Sequence, residues 1–196
     1  MPAPSQPNIV GGSGSPGAAA NLYRRNLGSP ALGTTSAVHA AIADNGSQQV
    51  VTAAITGPDV PRNVTATSGG TAANITAVQV VVNGTDYRGN AISETLPAFT
   101  AGSATTVVGS KAFATVTSIA VPANGTGVTT AIGTGAKLGL PARLNSDTVL
   151  NAFLNGVREA TRPTVAFDAT NVGGNTVTLN SALNGSPVAV DYYHPF

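Results

Sequence analysis

With 196 residues, 42% of them hydrophobic, the chain is long and apolar enough to bury a core, which excludes global disorder. Nine Lys and Arg against eight Asp and Glu leave a formal charge of +1 and only 9% charged residues. That supplies neither the cationic footprint a nucleic acid needs nor a patch for an anionic membrane.

Residues 1–34 read as an extended arm. They carry Pro2, Pro4, Pro7, Pro16 and Pro30 among glycines and show no sustained hydrophobic period, so alone they could not offset their ordering entropy. MPAPSQPNIVGGSGSPG lacks a cationic stretch followed by an apolar one, so it does not read as a signal peptide. Synthesis and folding in a reducing cytoplasm are therefore expected. The absence of cysteine fits this and favours stabilisation by oligomerisation or docking. Gly12–Gly17, GSGSPG, matches the dinucleotide fingerprint, but only Ile9-Val10 precedes it and Pro16 removes an amide from the cradle. It reads as a linker. The embedded AAANLYRRNLG is a short helix or an anchor.

Residues 35–141 read as the main β domain. AVHAAIADNGSQQVVTAAI places Asp-Asn-Gly between two extended runs, a hairpin signal. PDVPRNVTATSGG is a strand that starts after proline and ends at a Gly-Gly turn. ITAVQVVVN, the bend GTDYRGN and AISETLPAF form a second hairpin, and VVGSKAFATVTSIAVP gives another strand pair. Gly-rich loops around Asn124–Gly127 and Gly133–Gly135 then lead into AKLGLP.

Residues 142–196 form a C-terminal β unit, separate or part of the same domain. In SDTVLNAFLNGVREA, Val149, Leu150, Phe153, Leu154 and Val157 sit at helical spacing, yet Asn155-Gly156 divides two apolar runs. Residues 142–160 are thus helix or hairpin, and the extended surroundings favour the hairpin. TVAFD, NTVTLNSALNG and PVAVDYY are further strands. Short Val- and Thr-rich strands at intervals of 8 to 12 residues, with no helices between them, predict an all-β chain: an antiparallel sandwich or jelly-roll-like barrel.

Little in the chain points to catalysis. His39 stands in an alanine-rich run with no partner at ligand spacing, so a strand histidine is the simpler reading. Asp44, Asp59 and Asp86 fall in turns, where the carboxylate bonds the local backbone. No serine sits in a nucleophile elbow and no calcium loop is present. Neither an enzyme nor a cofactor or metal site is expected. The Asn-X-Ser/Thr triplets at Asn45, Asn63, Asn74, Asn83, Asn124 and Asn184 are what a chain rich in these residues generates by chance.

Candidate partner-binding residues fall in three places. Tyr23, Arg24 and Arg25 form the densest cluster, with side chains favoured as interface anchors. Asp86, Tyr87 and Arg88 lie in the bend Gly84–Asn90. Tyr192, Tyr193, His194 and Phe196 close the chain.

Five stretches resemble a family of structural proteins from tailed bacteriophages. They are IADNGSQQVVTAAITGPDVPRNVTATSGGTA, VNGTDYRGNAISETLPAF, VVGSKAFATVTSIAVPANGTG, IGTGAKLGLP and NTVTLNSALNGSPVAVDYY. The resemblance implies a virion component made in the bacterial host, with no catalytic residues. It implies a head decoration or cement protein that binds the major capsid protein or other virion proteins, as a homo-oligomer with a trimer favoured. The alternative is a neck, tail or fibre component, with host-surface binding as one role. Neither nucleic acid nor membrane is an expected partner.

Overall fold

The computed structural model describes residues 20–195. All of its regular structure, apart from two single 3-10 turns at Ala72–Asn74 and Val172–Gly174, is β. The first strands are β1 (Ala20–Gly28), β2 (His39–Ala43), β3 (Gln49–Val51), β4 (Arg62–Gly70) and β5 (Val81–Thr85). Next come β6 (Ala91–Thr95), β7 (Thr106–Phe113), β8 (Thr115–Val121) and β9 (Val128–Gly139). The last are β10 (Val149–Leu154), β11 (Val157–Arg158), β12 (Thr164–Ala166), β13 (Thr176–Thr178) and β14 (Val188–Pro195). Every pairing is antiparallel. The expected all-β antiparallel class is what the chain adopts.

Three sheets share the work. A six-stranded sheet runs β12-β13-β9-β4-β7, with β2 also on β9; one four-stranded sheet runs β3-β8-β5-β6 and the other β1-β14-β10-β11. β7 passes into β8 with only Ala114 between them, so one extended run leaves the six-stranded sheet and enters the next. The sheets include a curled half-barrel, and these two share a core of Val64, Val82, Leu96, Phe113, Ile119 and Ile132. A second apolar cluster lies against the β1-β14-β10-β11 sheet. It joins Leu27, Leu138, Leu140, Leu144, Val149 and Val190, so β9 contributes Ile132 to one cluster and Leu138 to the other.

Period-two alternation explains the main ladders. β5 reads half-buried, buried, half-buried, buried, half-buried, and pairs with β6 from Val81–Thr95 to Thr85–Ala91 as the second hairpin requires. The Asn155-Gly156 turn is also a hairpin: both residues have positive φ, 51° and 74°, and Leu154 pairs with Val157. The helical spacing of the apolar residues there is coincidental, because Asn and Gly tolerate the left-handed conformations a two-residue turn needs.

Four expectations are corrected. Ala20–Gly28 is neither helix nor arm: β1 pairs along its length with β14, from Ala20–Pro195 to Gly28–Val188. Leu27, held at the bulge near its end, is buried in the second cluster; residues 1–19 lie outside the described part. The runs around Asp44-Asn45-Gly46 bend as predicted, with Gly46 at φ +78°, but are not partners. β2 pairs with β9 and β3 with β8, because the turn sets a local bend while each short run finds its ladder on a longer strand. β7 and β8 likewise pair with β4 and β5 rather than with each other. Finally, Gly133–Gly135 is the middle of the 12-residue β9 and no loop. Gly133 is there for close approach: a Cβ would lie 1.9 Å from the Thr34 carbonyl oxygen in a strand that must pass flat under residues 34–35.

Candidate functional site

Side-chain alternation splits the β1–β14 pair into two faces. Tyr23 lies opposite Tyr192 and Arg25 opposite Val190 on the face that covers the second cluster, whereas Arg24 lies opposite Asp191 and Leu22 opposite Tyr193 on the outer face. The adjacent arginines therefore serve different surfaces.

On the inner side an open recess of about 230 Å³ is lined by Tyr23, Arg25, Arg88, Pro141, Ala142 and Tyr192. Tyr192 is 2% exposed and its ring lies 5.8 Å from that of Tyr23, tilted by 34°. The Arg25 guanidinium sits 5.6 Å above the Tyr23 ring, a cation–π distance. Arg88 reaches the recess from the β5–β6 bend. The bend is rigid because the buried Asp86 carboxylate accepts from the Arg88 amide at 2.8 Å and from the Asn90 amide at 3.0 Å. Arg88 Nε then donates to the Pro141 carbonyl oxygen at 2.8 Å, which fastens the bend to the segment after β9.

The outer face is differently built. Arg24 donates from Nε and Nη2 to the two Asp191 oxygens at 2.7 and 2.8 Å, and its guanidinium lies 4.4 Å from the Phe153 ring centroid. Asp191's hydrogen bond, and then its charge, raise the Arg24 pKa further above its ordinary value. Beside this pair the sheet exposes Leu150 and carries half-buried Tyr193 and Phe153.

Of the residues the sequence singles out, Tyr23, Arg25, Arg88 and Tyr192 converge on one recess. Arg24 and Tyr193 take the opposite face. Asp86 is buried as the bend's internal acceptor, and Tyr87 is exposed in that bend. His194 stands in β14 opposite Asn21, and Phe196 is outside the described residues, as is the Gly12–Gly17 motif. Pro141 and Ala142 carry no sequence signal beyond following the glycine-rich strand; only the fold makes them part of the recess. His39 lies on β2 with Nδ1 2.7 Å from the Ala40 carbonyl oxygen. Among the described residues no three His, Cys, Asp or Glu side chains are grouped as a metal site.

Arg62, Asp59 and Glu94 are structural ties that the sequence does not announce. Arg62, 1% exposed, donates to the Gly135 and Ala31 carbonyl oxygens and to Asp59. For Asp59, burial opposes the charge, but the Ala31 amide and the Arg62 guanidinium outweigh it and hold its pKa below the ordinary carboxylate value. Glu94 accepts from the Ser110 amide and hydroxyl at 2.6 and 2.7 Å, latching β6 in one sheet to β7 in the other.

No protein-family model matches the chain, and no significant match to it was found among curated proteins or solved structures.

Proposed function

We propose that the protein is a structural component of a tailed-bacteriophage virion, a head decoration or cement protein that binds the assembled capsid. The observation that carries this reading is the sheet made by β1 and β14. It gathers Tyr23, Arg24, Arg25, Tyr192 and Tyr193 on its two faces around the middle of the pairing. Tyr and Arg are the side chains most favoured as interface anchors, because they bury a large area while keeping a polar tip. Other titratable groups support it: Asp59, Asp86 and Glu94 bond backbone amides and hold the fold together. The resemblance of five stretches to phage structural proteins supplies the class of partner.

The mechanism is mass action. A protein that touches neighbouring capsid subunits only in the mature shell stabilises that shell by its differential affinity. The low charge of the chain suits a broad interface, whose centre is depleted of charged groups that are costly to desolvate.

The test is to add purified protein to capsids of the parent phage that lack it. The protein is expected to sediment with the capsids and to raise the temperature at which they disrupt. Failure to sediment with capsids, together with binding to isolated tail tubes, would overturn the decoration reading and move the protein to the tail.

A further inference from the structure

We infer that the recess between Tyr23, Arg25, Arg88 and Tyr192 is a socket for one carboxylate side chain, a Glu or Asp on an acidic segment of a protein partner. The inference deepens the proposed function and rests on it in taking the ligand to be a protein.

The recess is shaped for a small anion with an apolar stem. Its six lining residues include two arginines and no acid. The Arg25 guanidinium lies over the Tyr23 ring, and no acid among the lining residues neutralises it. Arg88 gives its Nε to the Pro141 carbonyl oxygen, which fixes the guanidinium plane and leaves the two terminal nitrogens to a ligand. A guanidinium fork matches a carboxylate bidentately, and such charge-assisted bonds are about twice as strong as neutral ones. Preorganisation matters as much: Arg88 is set by the Asp86-locked bend and its bond to Pro141, and the Arg25 guanidinium is placed over the Tyr23 ring, so less freedom is lost when an anion enters.

Size and field select the ligand. The volume of about 230 Å³ lies below the roughly 300–1,000 Å³ of pockets that take drug-sized molecules, and is suited to a single side chain. The walls supply Tyr23, Tyr192 and Pro141 for the methylene stem. A phosphate polymer would call for a run of cations along its backbone, whereas the whole chain carries a formal charge of only +1.

The experiment is an NMR titration of the purified full chain with blocked Gly-Glu-Gly peptide, its Gly-Gln-Gly counterpart and inorganic phosphate, followed at the Arg Nε–H and backbone amide signals. The Glu peptide is expected to give saturable shifts at Arg25 and Arg88 and to bind about tenfold more tightly than the Gln peptide, the ratio that one charge-assisted contact yields. Arg25→Ala should weaken it by about the same factor at an unchanged melting temperature, with Arg25→Lys restoring part of the loss. Absence of saturable shifts, equal binding of the Gln peptide, indifference to Arg25→Ala, or saturation by phosphate alone would each overturn the inference. A chain that sediments with capsids yet ignores the peptide would keep its proposed role and lose the socket; one that binds the peptide and no capsid would do the reverse.

Discussion

Single side chains close several joints of this fold, and the loop at Asp168 shows how much one carboxylate can organise. Asp168 accepts from the Thr170 hydroxyl at 2.6 Å and amide at 2.8 Å, and from the Asn171 amide and side chain at 3.0 Å. The Thr170 hydroxyl, then the Asn171 side chain, hold its pKa far below the ordinary 3.8. Behind it the buried Asn175 amide accepts from the Leu144 and Asp168 amides and donates to the Asp168 and Asn171 carbonyls. A carboxylate with a depressed pKa in the folded chain adds stability above its unfolded pKa and loses it as pH falls towards the folded value. The stability gap between the wild type and Asp168→Ala, measured by urea unfolding, should therefore be constant from about pH 6 to pH 4 and shrink below 3.8. A gap that stays constant to about pH 2 would refute this assignment of the loop's stability.

At the scale of strands, the sequence revealed those elements whose signal is local. The β5–β6 hairpin was legible because a turn and its two flanking runs are contiguous; at β10–β11 the apolar spacing left helix beside hairpin, and the Asn155-Gly156 turn decides for the hairpin. Pairing choices between distant strands were not legible. Nothing in His39–Ala43 says that it will join β9, nor in Thr106–Phe113 that it will pair with β4 and then bend into another sheet. The same limit applies to the recess: four of its residues were singled out by type, but their convergence depends on β1 meeting β14 and on a bend 54 residues before Ala142, from Arg88. Gly133 misled because a glycine spaced like a loop residue was required for a close crossing. Gly133→Ala would set a Cβ 1.9 Å from the Thr34 carbonyl oxygen and 2.7 Å from the Thr35 backbone. Neither neighbour is a flexible side-chain end, so the variant should lose about 3 kcal/mol or more in chemical denaturation, the upper range for overpacking. A loss below about 1 kcal/mol would show that the crossing relaxes readily.

For the molecule as a whole, the decisive feature is that the two apolar clusters do not divide the chain at one point. The cluster under the β1-β14-β10-β11 sheet takes Leu27 from β1 and Leu138 from β9, besides Leu144, Val149, Val177 and Val190 from residues 142–196. β13 finds its ladder on β9, through Thr176–Gly139 and Val177–Leu138, and β14 finds one of its two partners in β1. A fragment of residues 142–196 would therefore expose the inner face of β14 at Tyr192 and Val190, leave β13 with only β12, and lose Leu27, Leu138 and Leu140 from its core. Losing a buried leucine costs about 2–5 kcal/mol, and a domain's whole stability is only about 5–15 kcal/mol. Three such losses, with two missing strands, exceed what about 55 residues can retain. The fragment should thus show random-coil circular dichroism and an undispersed amide spectrum, while the chain from residue 20 onward unfolds in one transition by fluorescence and by circular dichroism alike. A dispersed spectrum from the isolated fragment would mean that its own strands suffice, and that β1 and β9 merely lean on a unit already folded.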